Sequence, residues 1–221
     1  MITTIELYKE FQLKLNKLDS DDNIDVSPGE FVLIFNEQQM KWFNDNFRNI
    51  GNKNKEKVQK LIEPDFLLLP SNQSTYYTEF DLPENFFDYI RSYALCSNTN
   101  CKNVPVDIFE IKPENVTYYL RDEFNKPSIE YQETFRILAN GKVQVYKLGF
   151  DVDKVYLTYY RYPVKVDMIG YTRLDQTLST DINPELDEYY LHEIIDLCVL
   201  ETQRQIENGE GFQLSKDRII N

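Results

Sequence analysis

The chain has 221 residues, with 24 lysines and arginines against 37 aspartates and glutamates, for a formal net charge of −13. That balance excludes the broad basic footprint of a free-standing nucleic-acid binder, and area scaling lets a chain of this size bury roughly 70% of its unfolded surface without disulfide or metal staples. The longest apolar runs, Phe31 to Phe35 and Phe66 to Leu69, fall far short of the roughly 20 residues of a membrane span, and Met1 to Glu6 has neither region of a signal peptide, so Cys96, Cys101 and Cys198 are expected as free thiols in a reducing cytoplasm.

Residues 3–18 predict an amphipathic helix: Ile5, Tyr8, Phe11, Leu15 and Leu18 recur at three and four, and Thr3 with Glu6 can form a capping box. An acidic loop, Asp19 to Asp25, ends it. Ser27-Pro28-Gly29-Glu30 starts a second helix, with a capping serine, proline at the first helical position and a glutamate that can reach back. That helix runs through Phe31, Ile34, Phe35 and Trp42 to about Asn46. A third helical stretch, polar and weaker, spans Lys53 to Ile62.

From residue 64 the period changes. Phe66 to Leu69 and Tyr76 to Phe80 read as short strands separated by a turn at Pro70-Ser71-Asn72. Asp81-Leu82-Pro83-Glu84 reads as the start of a short helix near 82–95, carrying Phe86, Tyr89, Ile90 and Tyr93. Strand signals dominate Val104 to Tyr162, and Asn140-Gly141 supplies the two positive-φ residues of a type I′ hairpin. In the strand Lys154 to Tyr162, Val155, Leu157 and Tyr159 share one face and Tyr156, Thr158, Tyr160 and Tyr162 the other. Neither face is plainly polar, so both are expected to be covered, by the chain itself or by a neighbour.

Asn183 as cap and Pro184 in the first turn predict a final helix to about Asn208, with Gly209 as terminator. Its face is traced by Leu186, Tyr190, Ile194, Leu197 and Leu200. The expected organisation is a helical segment over 1–62, a β-rich region over 63–180, the C-terminal helix over 181–208 and an extended tail or arm over 209–221. The fold class is α+β, with N-terminal helices and a long C-terminal helix flanking a mostly antiparallel β region.

Chemical motifs are sparse. Asp19, Asp21, Asn23, Asp25, Ser27 and Glu30 approximate a calcium loop, but Ile24 stands where the sharp turn needs glycine, and the helix start already explains Glu30. Cys96 and Cys101 lack the further ligands of a zinc site. His192 lies in the final helix without a marked nucleophile or orienting partner. No phosphate loop, dinucleotide fingerprint or nucleophile elbow is present. The reading is therefore of no catalytic residue, no cofactor and no resident metal. Phe31, Phe35, Trp42, Tyr160 and Arg161 are the candidates for contacts within or between subunits, Arg161 because guanidinium among tyrosines is a common interface anchor. The competing class is an acidic hydrolase built on a carboxylate pair.

Several phrases carry a resemblance: Ser27-Pro28-Gly29-Glu30-Phe31-Val32-Leu33-Ile34-Phe35-Asn36-Glu37, Glu133 to Leu138 with its Asn140-Gly141 turn, Val155 to Pro163, and Asn183-Pro184-Glu185-Leu186. Together with the element order, these resemble structural proteins of tailed bacteriophages, in particular head–tail connector, or neck ring, proteins of crAss-like phages. The resemblance implies a virion protein made in the host cytoplasm. Such a protein would form a ring, dodecameric like the portal, that docks beneath the portal and bridges capsid to tail. Its partners would be copies of itself, the portal, neighbouring neck or tail proteins, and double-stranded DNA passing the lumen without specific binding, with no membrane. The acidic balance suits a channel wall that does not grip the exiting genome.

Overall fold

In the computed structural model, residues 2–18, 24–48, 57–173 and 175–205 are described. Among them are four helices, α1 (Thr4–Leu18), α2 (Pro28–Arg48), α3 (Val116–Arg121) and α4 (Glu188–Gln205). Eight strands accompany them: β1 (Ile62–Leu68), β2 (Pro70–Gln73), β3 (Tyr77–Asp81), β4 (Phe86–Ser97), β5 (Val104–Glu110), β6 (Glu133–Ala139), β7 (Lys142–Tyr146) and β8 (Asp151–Arg161). The fold is α+β. Two compact units divide it: a sheet unit over Leu61–Tyr162, and a helical unit built from the described residues up to Lys60 and from Pro163 onward. The chain from 163 to 180, expected with the β-rich region, belongs to the helical unit, because it forms isolated bridges and no strand of the sheet.

In the helical unit the capping boxes form as the spacing predicts. Thr3 N–H and Thr3 Oγ1 donate to Glu6 Oε2 at 2.7 and 2.9 Å, and Ser27 N–H and Oγ donate to Glu30 Oε2 at 2.9 and 2.7 Å. Asn183 corrects an expectation. Its Oδ1 accepts from Thr4 N–H at 2.9 Å, capping α1 from the far end of the sequence, and α4 starts at Glu188 behind Asp187, whose carbonyl accepts from Leu191 N–H. An asparagine oxygen satisfies whichever orphan helix donor tertiary packing brings to it.

The buried face of α4 is Leu191, Ile194, Ile195, Cys198 and Val199, rather than the predicted stripe through Tyr190, Leu197 and Leu200. The helix packs against both α1 and α2, which rotates its covered stripe. Tyr190 is still used, its ring 5.3 Å from that of Trp42. Lys14 Nζ bonds Asp196 at 2.7 Å, and Glu10 lies 2.9 Å from His192 Nδ1. The third helical stretch falls partly on residues 53–56, outside the described residues, and its end is overtaken by β1 at Ile62.

The sheet runs in the order β1-β8-β4-β5-β6-β7-β3-β2, antiparallel except for β5 and β6, whose parallel pairing requires the crossover that carries α3. Its first and last strands are consecutive in the chain, joined through Leu69, so one continuous segment pairs β8 with its first half and β3 with its second. The predicted turn at Pro70-Ser71-Asn72 is therefore strand. The turn comes later, where Ser74 N–H donates to the Tyr77 carbonyl. Inside lies one core of Leu68, Phe80, Ala94, Cys96, Val106, Ile108, Val143, Val145, Val152, Val155, Leu157 and Tyr159. A second cluster, Ile111, Phe135, Ile137 and Tyr146, packs with Tyr119 and Leu120 of α3.

The short helix expected near 82–95 is β4. Its register skips Phe87 and Ile90 at two bulges against β8, so its core-facing residues fall at Phe86, Tyr89 and Ser92, then at Ala94 and Cys96. Two bulges turn a two-residue period into a three-residue one, which reads as helix. The Asn140-Gly141 hairpin forms as predicted, with φ of 52° and 71°. On β8, the Val155, Leu157 and Tyr159 face is buried. The opposite face is partly open, with Tyr156 stacked on Tyr93 at 5.0 Å.

Arg136 on β6 is a charged member of this interior, with 0% exposure. Its guanidinium lies 3.5 Å over the Tyr89 ring, and Nη2 donates to Glu110 Oε2 at 2.7 Å, while Nε and Nη1 have no protein partner. Such a group specifies packing at a desolvation cost. Arg136→Ala should lower unfolding stability by about 2–4 kcal/mol through the cavity it opens. Arg136→Met, which retains the stem over Tyr89 and removes the unpaired donors, should cost under about 1 kcal/mol. Urea denaturation of both variants checks the difference.

Candidate docking groove

The site begins at the start of α2. Gly29 leaves the helix backbone bare, and a Cβ there would stand 3.0 Å from the ring of Tyr171, so the ring lies on a surface that a larger residue would obstruct. Farther along α2, Asn36 grips the extended segment after Pro163 as a strand partner would. Its Oδ1 accepts from Val166 N–H at 2.8 Å and its Nδ2 donates to the Val166 carbonyl at 3.0 Å. Gln39 Nε2 donates to the Val164 carbonyl at 2.9 Å. Between this helix face and the 163–182 segment lies a cavity of about 650 Å³. Its walls include Gly29, Val32, Leu33, Val166, Tyr171 and Ile182, with Lys165, Arg173 and Asp175 among the charged lining residues.

Asp167 holds the outer wall in place. The residue is 4% exposed, and its carboxylate accepts from Met168 N–H at 3.0 Å, Tyr171 Oη at 2.6 Å, Thr180 N–H at 2.7 Å and Thr180 Oγ1 at 3.0 Å. Arg173 donates through Nε at 3.2 Å and also through Nη2. Burial by itself would raise this carboxyl's pKa. The hydrogen bonds from Tyr171, Thr180 and Arg173 outweigh it and hold the group well below the usual carboxylate range. Burial, together with the neighbouring Asp167 carboxylate, pushes the Tyr171 phenol up to about 12. Chemically the arrangement is a fully satisfied anion, suited to fixing a wall and poorly suited to accepting another proton.

The sequence candidates fall elsewhere. Phe31, Phe35 and Trp42 are buried within the helical unit: Phe31 lies between Tyr8, Phe11 and Phe35 with ring centroids 5.2–5.7 Å apart, and Trp42 Nε1 donates to Glu193 at 2.9 Å. Their contacts here lie within the subunit, one of the two alternatives that the sequence left open. Tyr160 and Arg161 lie on β8 in the sheet unit, Tyr160 half-buried and Arg161 Nε 3.8 Å from Glu63 of β1.

Half of the donors of the calcium-like loop, Asp19, Asp21 and Asn23, lie outside the described residues. Glu30, its last donor, is occupied by Ser27. Cys96 is buried, which pushes its thiol up to about 12 with Asp153 adding to the shift, and Cys101 is exposed. Among the described residues, no group of three or more His, Cys, Asp or Glu stands close enough to hold a metal ion, and no helix is long and apolar enough to cross a membrane.

Asp167, Tyr171, Arg173 and Thr180 escaped the sequence reading. They lie in a segment with neither helical nor strand periodicity, and a lone Asp among 37 acids carries no signal. No protein-family model matches the chain, and no curated protein matches its sequence.

Replacing Asp167 by Asn exchanges an acceptor oxygen for an NH₂ group among committed donors, and should cost about 2–3 kcal/mol of stability. Because folding lowers this pKa, the contribution is complete above the ordinary aspartate value of about 4 and is lost as pH falls below it. The difference in unfolding free energy between the parent chain and Asp167→Asn, measured by denaturant titration from pH 7 down to 3, should shrink only at the acidic end.

Proposed function

We propose that this chain is a structural subunit of a head–tail connector ring in a tailed bacteriophage, docking beneath the portal and bridging capsid to tail around the DNA exit channel. It works by fitting against copies of itself and neighbouring virion proteins. The observation that carries this reading is the set of large apolar side chains held outward on ordered local structure: Phe124 is 84% exposed, Leu178 79% and Tyr189 70%. Side chains of this size gain free energy when a partner covers them. The phrase-level likeness to neck proteins gives the class of partner. Docking is favoured over a carboxylate-pair hydrolase at the groove, since Asp167 spends both carboxylate oxygens on the fold and Glu30 and Asp175 each spend one, on Ser27 and Thr177.

Quantitative mass spectrometry of purified virions, with chemical cross-linking, tests the proposal. The chain should be present at the copy number of one ring and cross-linked to portal or tail components. Its absence from particles would contradict the reading.

A further inference from the structure

Two acids remain chemically open at the groove in the helical unit. Ser27 occupies only Oε2 of Glu30, and Thr177 only Oδ1 of Asp175, so each of these exposed carboxylates keeps one oxygen without a partner among the described residues. Asp167 and Arg173 neutralise each other, and Lys165 is the third open charge of the lining. The lining therefore presents two negative charges and one positive beside the apolar Val32, Leu33, Tyr171 and Ile182, with Leu33 52% exposed. Its complement is a segment with two cations, one acid and branched apolar side chains.

Residues 206–221, expected from the sequence as a helix end followed by a tail or arm, lie outside the described residues and supply such a segment. Lys216-Asp217-Arg218-Ile219-Ile220 carries two cations, one acid and two isoleucines in immediate succession. Extended chain gains about 3.3–3.6 Å per residue, so the stretch can reach about 50 Å from Gln205. That exceeds the length of α2 or α4, about 32 and 27 Å at about 1.5 Å per residue, and these two helices pack against each other. Residues 49–56 also carry lysines outside the described chain, but they leave from Arg48 and return at Lys57. Their excursion is about 15 Å at most, whereas Gly29 lies about 28 Å along α2 from Arg48. Residues 19–23 carry three aspartates and no cation.

We propose that residues 216–220 lie in the groove of their own chain, with Ile219 and Ile220 against the apolar wall and the charges of the segment against Glu30, Asp175 and Lys165. Tethering favours the chain's own groove, since a short flexible linker holds its far end at about millimolar effective concentration. The segment is then a strap over a face that the described residues leave open, and a neighbour that uses the groove must first displace it. The contact stands whether or not the chain assembles into a ring.

Zero-length carbodiimide coupling of the full chain, followed by peptide mass spectrometry, tests the strap. A mixture of isotope-labelled and unlabelled chains separates links within a chain from links between chains. Lys216 should be joined to Glu30 or Asp175 within one chain. Ile219→Ser combined with Ile220→Ser should lower that yield about tenfold or more, with unchanged circular dichroism. Links found only between chains would overturn the strap and assign the segment to a neighbour's groove. A Lys216 that joins neither acid, or a yield unchanged by the two serines, would also overturn it.

Discussion

Asp167 carries a negative charge into a place almost closed to water, and the donors that satisfy it hold much of the 163–182 segment in place. Among its described residues this stretch has no strand ladder to fix it, only isolated bridges at Asp167–Ile182 and Thr172–Leu178. Its conformation is set instead by side chains: Tyr171, Arg173 and Thr180 converge on one carboxylate, while Asn36 and Gln39 reach from α2 to the Val164 and Val166 backbone. An uncompensated charge at that depth would be costly, so the network is held together as a unit. The groove wall, the seat of Tyr171 on Gly29 and the position of Lys165 all follow from it.

The chain builds its helical unit from two distant stretches, with the whole sheet inserted between α2 and α4. Contacts such as Thr4 with Asn183 and Lys14 with Asp196 are separated by about 180 residues of sequence. Their closure entropy is set against the burial of Phe11, Phe31, Phe35, Ile194 and Cys198. The sheet needs no such help from the ends. Its β1–β2 segment spans both margins, so its closure is carried by the backbone and by a core to which six of its strands contribute buried residues. Part of the aromatic richness is spent on packing within each unit, as in the Phe135–Tyr146 stack at 4.8 Å and the burial of Phe31, Phe35 and Trp42, and part stands on the surface.

Sequence reasoning reached the features governed by local chemistry. Capping boxes at Thr3 and Ser27, the helices behind them and the Asn140-Gly141 turn depend on residues within four positions of one another, so pattern and structure agree. The α+β class followed from the element order. What was hidden depends on partners far away in sequence. Bulges at Phe87 and Ile90 gave β4 a helix-like spacing, and these exist only in the register with β8. Asn183 carried a sound capping signal that α1 claimed in place of α4. Phe31, Phe35 and Trp42 looked like contact anchors because an apolar face does not say which surface covers it. The groove was the least legible element, since the Asp167 network joins residues up to 13 apart with no period at all.

The wall around Asp167 stands on one buried carboxylate, and amide hydrogen exchange of the parent chain and Asp167→Asn is the most direct measurement of that dependence. Faster exchange at the Val166 and Thr180 amides of the variant, with the amides of α1 and α4 unchanged, is the predicted result. Equal protection of those amides in the two chains would contradict it.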